Sequence, residues 1–147
     1  MFLDNFYVAV GDNVSFSKTV SESDVYLFAG ITGDLAPNHI DEEYMKRSGY
    51  GRRIAHGALI VGFMSTASSL AIAKSRNGGD ETPVSLGYDR IRFLAPVYLG
   101  DTIKVAYEIV EIDEERRRSV ADIRVFNQAE ELVAVAQHIL KWVANKQ

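Results

Sequence analysis

Apolar and polar residues alternate from Val14 to Val20, the period of a strand with one face on a core. Ser21 then opens a helix, its hydroxyl a natural cap with Asp24 three positions on, and the helix is expected to end near Gly30 or Gly33. Asp41-Glu42-Glu43 can start a further short helix through Tyr44, Met45 and Lys46, with acidic groups in the first turn where the helix dipole favours them. Gly49-Tyr50-Gly51 interrupts the chain. The longest helical segment runs from Gly57 to about Lys74. Leu59, Ile60, Phe63, Met64, Leu70 and Ala71 interleave there with Gly62, Ser65, Ala67 and Ser68. So much of the circumference is apolar or small that this helix is expected to be buried on nearly all sides. Arg76 to Asp80 is expected to end it.

The second half reads as strands. Val84 to Phe93 is one run, Pro96 to Asp101 turns the chain, and Ile103, Val105, Tyr107 and Ile109 alternate strictly. Asp113-Glu114-Glu115 followed by Arg116-Arg117-Arg118 reads as a solvated hairpin turn. Ala121, Ile123 and Val125 alternate on the next strand, Gln128 to Glu130 turns again, and Glu131 to Val143 is the last strand. Apolar residues on both of its faces predict a central strand covered twice. A helix followed by a run of strands predicts an α+β fold, an antiparallel sheet wrapped around one long helix, in one domain spanning 1–147.

Composition narrows the function. With 147 residues, 47% hydrophobic and 24% charged, the chain is of ordinary globular make-up. A net charge of −4 speaks against a nucleic-acid groove as the main surface. The absence of cysteine removes disulfides, thiolate nucleophiles and thiolate metal sites, and fits a reducing compartment. No secretory signal or membrane span is legible, so a cytoplasmic protein is expected. His39, His56 and His138 show no metal-ligand spacing, Gly49-x-Gly51 lacks the third glycine of a dinucleotide loop, and no serine nucleophile elbow is present.

The chemistry concentrates in Gly33-Asp34-Leu35-Ala36-Pro37-Asn38-His39 and Ile54-Ala55-His56-Gly57. Pro37 fixes its own φ and drives Ala36 out of the α region, so Asp34 to His39 is expected to be a rigid loop and not a helix. A carboxylate and an imidazole held together can share one water, one taking its proton while the other delivers a proton to a nearby carbon. The sequence leaves open which is acid and which is base. Gly57 at a helix start offers a free backbone N–H to a developing oxyanion. His56 has no evident partner and is read as structural.

Taken with Phe93-x-x-Pro96-Val97-x-x-Gly100-Asp101, these segments resemble the MaoC-like hydratases, the (R)-specific enoyl-CoA hydratases and 3-hydroxyacyl-CoA dehydratases of hot-dog fold. The resemblance covers roughly residues 14–143. It implies Asp34 and His39 as the acid/base pair, the amide of Gly57 as oxyanion donor, and Ser65 as a hydroxyl that steadies the carboxylate. It also implies an acyl-thioester substrate carried on coenzyme A or a carrier protein, no other cofactor, no metal, and a homodimer or a larger dimer-based assembly. No nucleic acid or membrane partner is implied. Two positions depart from the family pattern: Ala36 stands where Asn is usual, and Asn38 where an aliphatic residue is usual. These bear on loop geometry and the acyl pocket rather than on the chemistry. A hot-dog thioesterase and a non-catalytic acyl-binding partner subunit are the alternatives.

Overall fold

The computed structural model describes residues 6–74 and 79–147. Five antiparallel strands form one sheet in the order β1-β3-β4-β5-β2. They are β1 (Asn13–Thr19), β2 (Glu81–Phe93), β3 (Thr102–Asp113), β4 (Arg118–Phe126) and β5 (Leu132–Ala144). Between β1 and β2 run the helices α1 (Glu22–Thr32), α2 (Pro37–Ile40), α3 (Glu42–Lys46) and α4 (Gly57–Ala73). The α+β order expected from the pattern is therefore the order found. The expected helix stop at Arg76–Gly78 lies outside the described residues.

Alternation sets the core. Ile103, Val105, Tyr107 and Ile109 of β3 and Ala121, Ile123 and Val125 of β4 are all buried on one face of the sheet. α4 lays Ile60, Met64, Ala67, Ser68 and Ala71 on this core. Those positions make a single helical stripe, and each large apolar side chain so buried contributes about 1.5–3 kcal/mol. The expectation of burial on nearly all sides is corrected here. Ala58, Gly62, Ser65, Thr66 and Ser69 are exposed, because the sheet meets α4 from one side only. The last strand is corrected likewise. β5 is interior to the sheet, but only the face bearing Ala134, Ala136, His138, Leu140 and Trp142 is sealed, while Val135, Gln137, Ile139 and Lys141 are half-buried.

One irregularity bears on the cavity beside α4. The β4–β5 register shifts between Val125 and Phe126, so consecutive Val133 and Ala134 are both buried, as at a β-bulge. The carbonyl of Val133 accepts from Leu94 N (2.8 Å), which ties the end of β2 to this bulge. The charged hairpin is less solvated than expected, since Arg117 pairs with Glu81 through both Nε and Nη2 and lies 4.8 Å from the Phe6 ring.

Candidate active site

The helices before α4 hold the site in place, and their ends follow local rules. Ser21 caps α1 by accepting from Asp24 N (3.1 Å), while the Asp24 carboxylate accepts from Ser21 N (2.9 Å), a complete capping box. Gly33 closes the helix at φ +82°, a conformation that favours glycine. Asp34 comes directly after it. The expectation of a non-helical loop from Asp34 to His39 is half right. Ala36 is extended (ψ 139°) as a residue before proline should be, but Pro37 then opens the single turn of α2. Proline suits the first helical position, where its missing N–H would have had no partner. Ala36 occupies the cap of that turn with no side-chain bond to offer.

Arg53 braces the assembly from outside. Its guanidinium donates to Glu22 (2.7 Å) and Tyr26 Oη (2.7 Å) of α1 and to Glu42 (3.0 Å) of α3, and its pKa is raised by these partners, Glu22 foremost. Its own segment leads into α4. Ile54 N donates to the Asn38 carbonyl (3.0 Å) and Ala55 N to the Val97 carbonyl (2.7 Å).

Inside this frame the Asp34 carboxylate and the rings of His39 and His56 offer atoms that all lie within 4.8 Å of one another. His39 Nδ1 is 2.8 Å from the Ile54 carbonyl oxygen. A carbonyl only accepts, so Nδ1 carries a proton, and the neutral ring keeps its lone pair on Nε2. His56 Nε2 lies 3.0 Å from the carbonyl oxygen of Asp34 and by the same reasoning is the protonated nitrogen. The two rings are stacked, 3.8 Å between centroids and 26° between planes, and Phe28 lies 4.7 Å from the His56 ring. Asp34 itself is exposed, with Oδ1 accepting from Ala36 N (3.3 Å). Two carbonyl-anchored imidazoles and a carboxylate are of the right type for a metal. In-plane lone pairs on nearly parallel stacked rings lie side by side, however, instead of converging as a tetrahedral ion requires.

A cavity of about 400 Å³ opens beside His39. Asn38, His39 and Gly57 line it together with Tyr50, Ile54, Ile60, Phe93, Leu94, Val97, Val133 and Ala134. An apolar chamber with a few convergent polar groups is the usual form of a small-molecule site. Gly57 is the first residue of α4, so its N–H has no intrahelical acceptor, and no carbonyl among the described residues takes it. A Cβ at position 57 would stand 2.5 Å from Phe93 Cε2, so this ring closes against the glycine backbone.

The structure thus brings Asp34 and His39 together, with His39 and Gly57 on one cavity. Asp34 does not line that cavity, and no hydrogen bond joins Ser65 to Asp34. Ser65 is exposed two turns along α4, its carbonyl accepting from Ser68. His56, which has no partner legible in the sequence, finds one in the Asp34 carbonyl. Its one sequence signal is its place at a helix cap, where Ser, Thr, Asp or Asn is favoured and where it makes no capping bond.

Comparison with known proteins shows the family and the fold. A family model described as "MaoC like domain" matches residues 6–130. The (R)-specific enoyl-CoA hydratase of Rhodospirillum rubrum is 36% identical over 108 residues, covering 73% of this chain and 69% of that protein. The 3-hydroxybutyryl-CoA dehydratase of Methylorubrum extorquens is 36% identical over 110 residues, covering 75% of this chain and 66% of its own length. The solved (R)-hydratase from A. caviae superposes with a TM-score of 0.81 at 24% identity, covering 91% of this chain and 96% of that one, and so shares the hot-dog fold.

Proposed function

The chain belongs to the MaoC-like family, and on that footing we propose that it is an acyl-thioester hydro-lyase. It would interconvert a trans-2-enoyl thioester and the (R)-3-hydroxyacyl thioester by syn addition of water. The observation that carries the reading is His39. Its tautomer is fixed by the Ile54 carbonyl, and it lies on an apolar cavity that also presents the free amide of Gly57.

In this reading a water is held between the Asp34 carboxylate and His39 Nε2. The bare Nε2 takes one proton, the water oxygen bonds C3, and a proton is returned to C2 from the pair, so the protein ends as it began. Charge moves onto the thioester oxygen as C3 is attacked. The Gly57 N–H meets it there, a kind of donor whose loss costs about 3–4 kcal/mol in measured systems. No metal or other cofactor takes part, and the carrier is coenzyme A or a carrier protein.

A second copy of the chain is part of the proposal. Leu27 and Ile31 of α1 and Leu35 beyond it are 66%, 82% and 60% exposed, close to an uncovered Asp34, and the outer strand β2 exposes Val84 and Leu86. Exposed apolar side chains on a helix and on an outermost strand support an interface with a second copy. In a homodimer or dimer-based assembly it would shield the acid/base pair from bulk water. Ser65 support of Asp34 would then have to come through such an assembly. A cytoplasmic setting accords with the lack of cysteine.

The test is loss of enoyl absorbance on mixing purified protein with crotonyl-CoA, with chiral analysis of the product. Formation of the (R)-alcohol without free thiol is expected. Thiol release from saturated acyl-CoA would identify a thioesterase instead, and activity only after addition of another subunit would identify a non-catalytic partner.

A further inference from the structure

We infer that His56 is a positioning residue that couples Asp34 to His39 and to the Gly57 amide. The inference rests on the hydro-lyase reading and deepens it. His56 is 1% exposed, although it is a polar residue standing at the start of a helix. Its side chain does not cap that helix, and its Nδ1 is buried with no hydrogen-bond partner among the described residues. A buried imidazole nitrogen left without a partner is destabilising, so a purely structural role is better served by a cap former or an apolar side chain.

What the ring does instead is join three parts of the site. Nε2–H holds the Asp34 backbone at its carbonyl (3.0 Å). One face supports the His39 ring at 3.8 Å, and Phe28 backs the His56 ring at 4.7 Å. The residue's own carbonyl begins α4, accepting from Leu59 N (3.1 Å), and its next amide is that of Gly57. The carboxylate, the imidazole and the amide come from three different segments, and this one residue bonds to the backbone that carries the first, stacks on the second and adjoins the third. The tautomer follows from the same contacts. With the proton on Nε2, Nδ1 is the nitrogen left without an acceptor among the described residues.

Three variants separate the contacts. His56→Phe keeps a flat ring against His39 and removes the donor to Asp34. His56→Gln keeps an N–H of similar reach and removes the ring. His56→Ala removes both. With crotonyl-CoA, kcat is expected to fall about 100-fold in His56→Ala and about 10-fold in each of the others, with KM within about threefold of wild type. A displaced pair slows the chemistry without emptying the acyl cavity, which His56 does not line. In an Asp34→Asn background, His56→Phe should add almost nothing, since the positioned group has already been lost. Additive losses, or a loss carried by KM, would overturn the inference.

A measurement that needs no turnover stands beside these. Long-range 1H–15N spectra of the wild-type protein should show His56 as the Nε2–H tautomer and His39 as Nδ1–H. A proton on His56 Nδ1 would overturn the inference even if every variant failed to fold. Wild-type protein that hydrates nothing yet shows the expected tautomers removes the hydro-lyase reading and, with it, the coupling role. Active wild type with an unimpaired His56→Ala removes the coupling role alone.

Discussion

Two histidine-centred clusters lie in this molecule, and they are built on opposite terms. His138, on β5, is fully buried, and both ring nitrogens are taken, Nε2 by Ser85 Oγ (2.7 Å) and Nδ1 by Tyr107 Oη (2.8 Å). Burial lowers its pKa to about 4 and raises those of Tyr107 and Tyr88, whose ring lies 4.5 Å from the imidazole. Every polar atom of that ring is satisfied and nothing is left to react. His39 satisfies one nitrogen with a carbonyl and leaves the other unclaimed at a cavity wall. Burial alone does not distinguish the two, since both are buried. An unspent lone pair beside open space does, and it marks where chemistry can occur.

Each cluster can be tested by removing its ring. The largest effect is expected from His39→Gln and Asp34→Asn. Each should lower kcat for hydration by at least about 100-fold while the melting temperature stays near wild type. Near-normal turnover in either would remove the acid/base assignment. His138→Ala should do the reverse. The buried Tyr107 hydroxyl and the exposed Ser85 hydroxyl lose their partner and a cavity opens, so denaturant titration should show a loss of about 2–4 kcal/mol, with kcat of the folded fraction unchanged.

The same residue predicts a pH dependence. Above the ordinary value of 6.5 His138 is neutral whether folded or unfolded. Between 6.5 and about 4 the unfolded chain takes a proton that the folded chain refuses, so stability falls as pH falls, and the decline ends below about 4. The whole window is worth about 3 kcal/mol. Measured as wild type minus His138→Gln, to cancel the carboxylates, a flat difference across that range would contradict the assignment.

Smaller effects probe the reactive cluster. Gly57→Ala forces the Phe93 ring aside, and about a tenfold fall in kcat/KM is expected, recovered in part by Phe93→Leu. Ala36→Asn restores a capping side chain to α2 and should raise stability by about 0.5–1 kcal/mol without changing kcat. No gain in a thermal melt would show that the cap is already served by Asp34.

Local chemistry is legible where the residues that matter are neighbours in the chain. The capping box of Ser21 and Asp24, the left-handed stop at Gly33, the Asp41 cap of α3 and the alternation of β3 all act within a few positions. The Asp34–His39 spacing belongs to the same class, and the turn at Pro37 escapes it only because proline starts a helix as readily as it stops one. The sidedness of α4 is not legible, because small residues such as Gly62 and Ser65 fit a buried face or a bare one equally well. Nor is the role of His56 or the brace of Arg53, since Asp34, Glu22 and Glu42 reach them through the fold and not along the chain.

That brace divides the cavity walls into stiff and yielding parts. One guanidinium fastens two helices and the segment entering α4, so that wall can move only as a block and at the cost of several charged bonds at once. The opposite wall is held more lightly. Phe93 and Leu94 are each 54% exposed at the end of an outermost strand whose pairing slips twice, between Ser85 and Gly87 and between Asp89 and Arg92. In the proposed reaction an arriving chain of carbons would therefore meet its acid and base already set, and would make room for itself by displacing hydrocarbon on the far side.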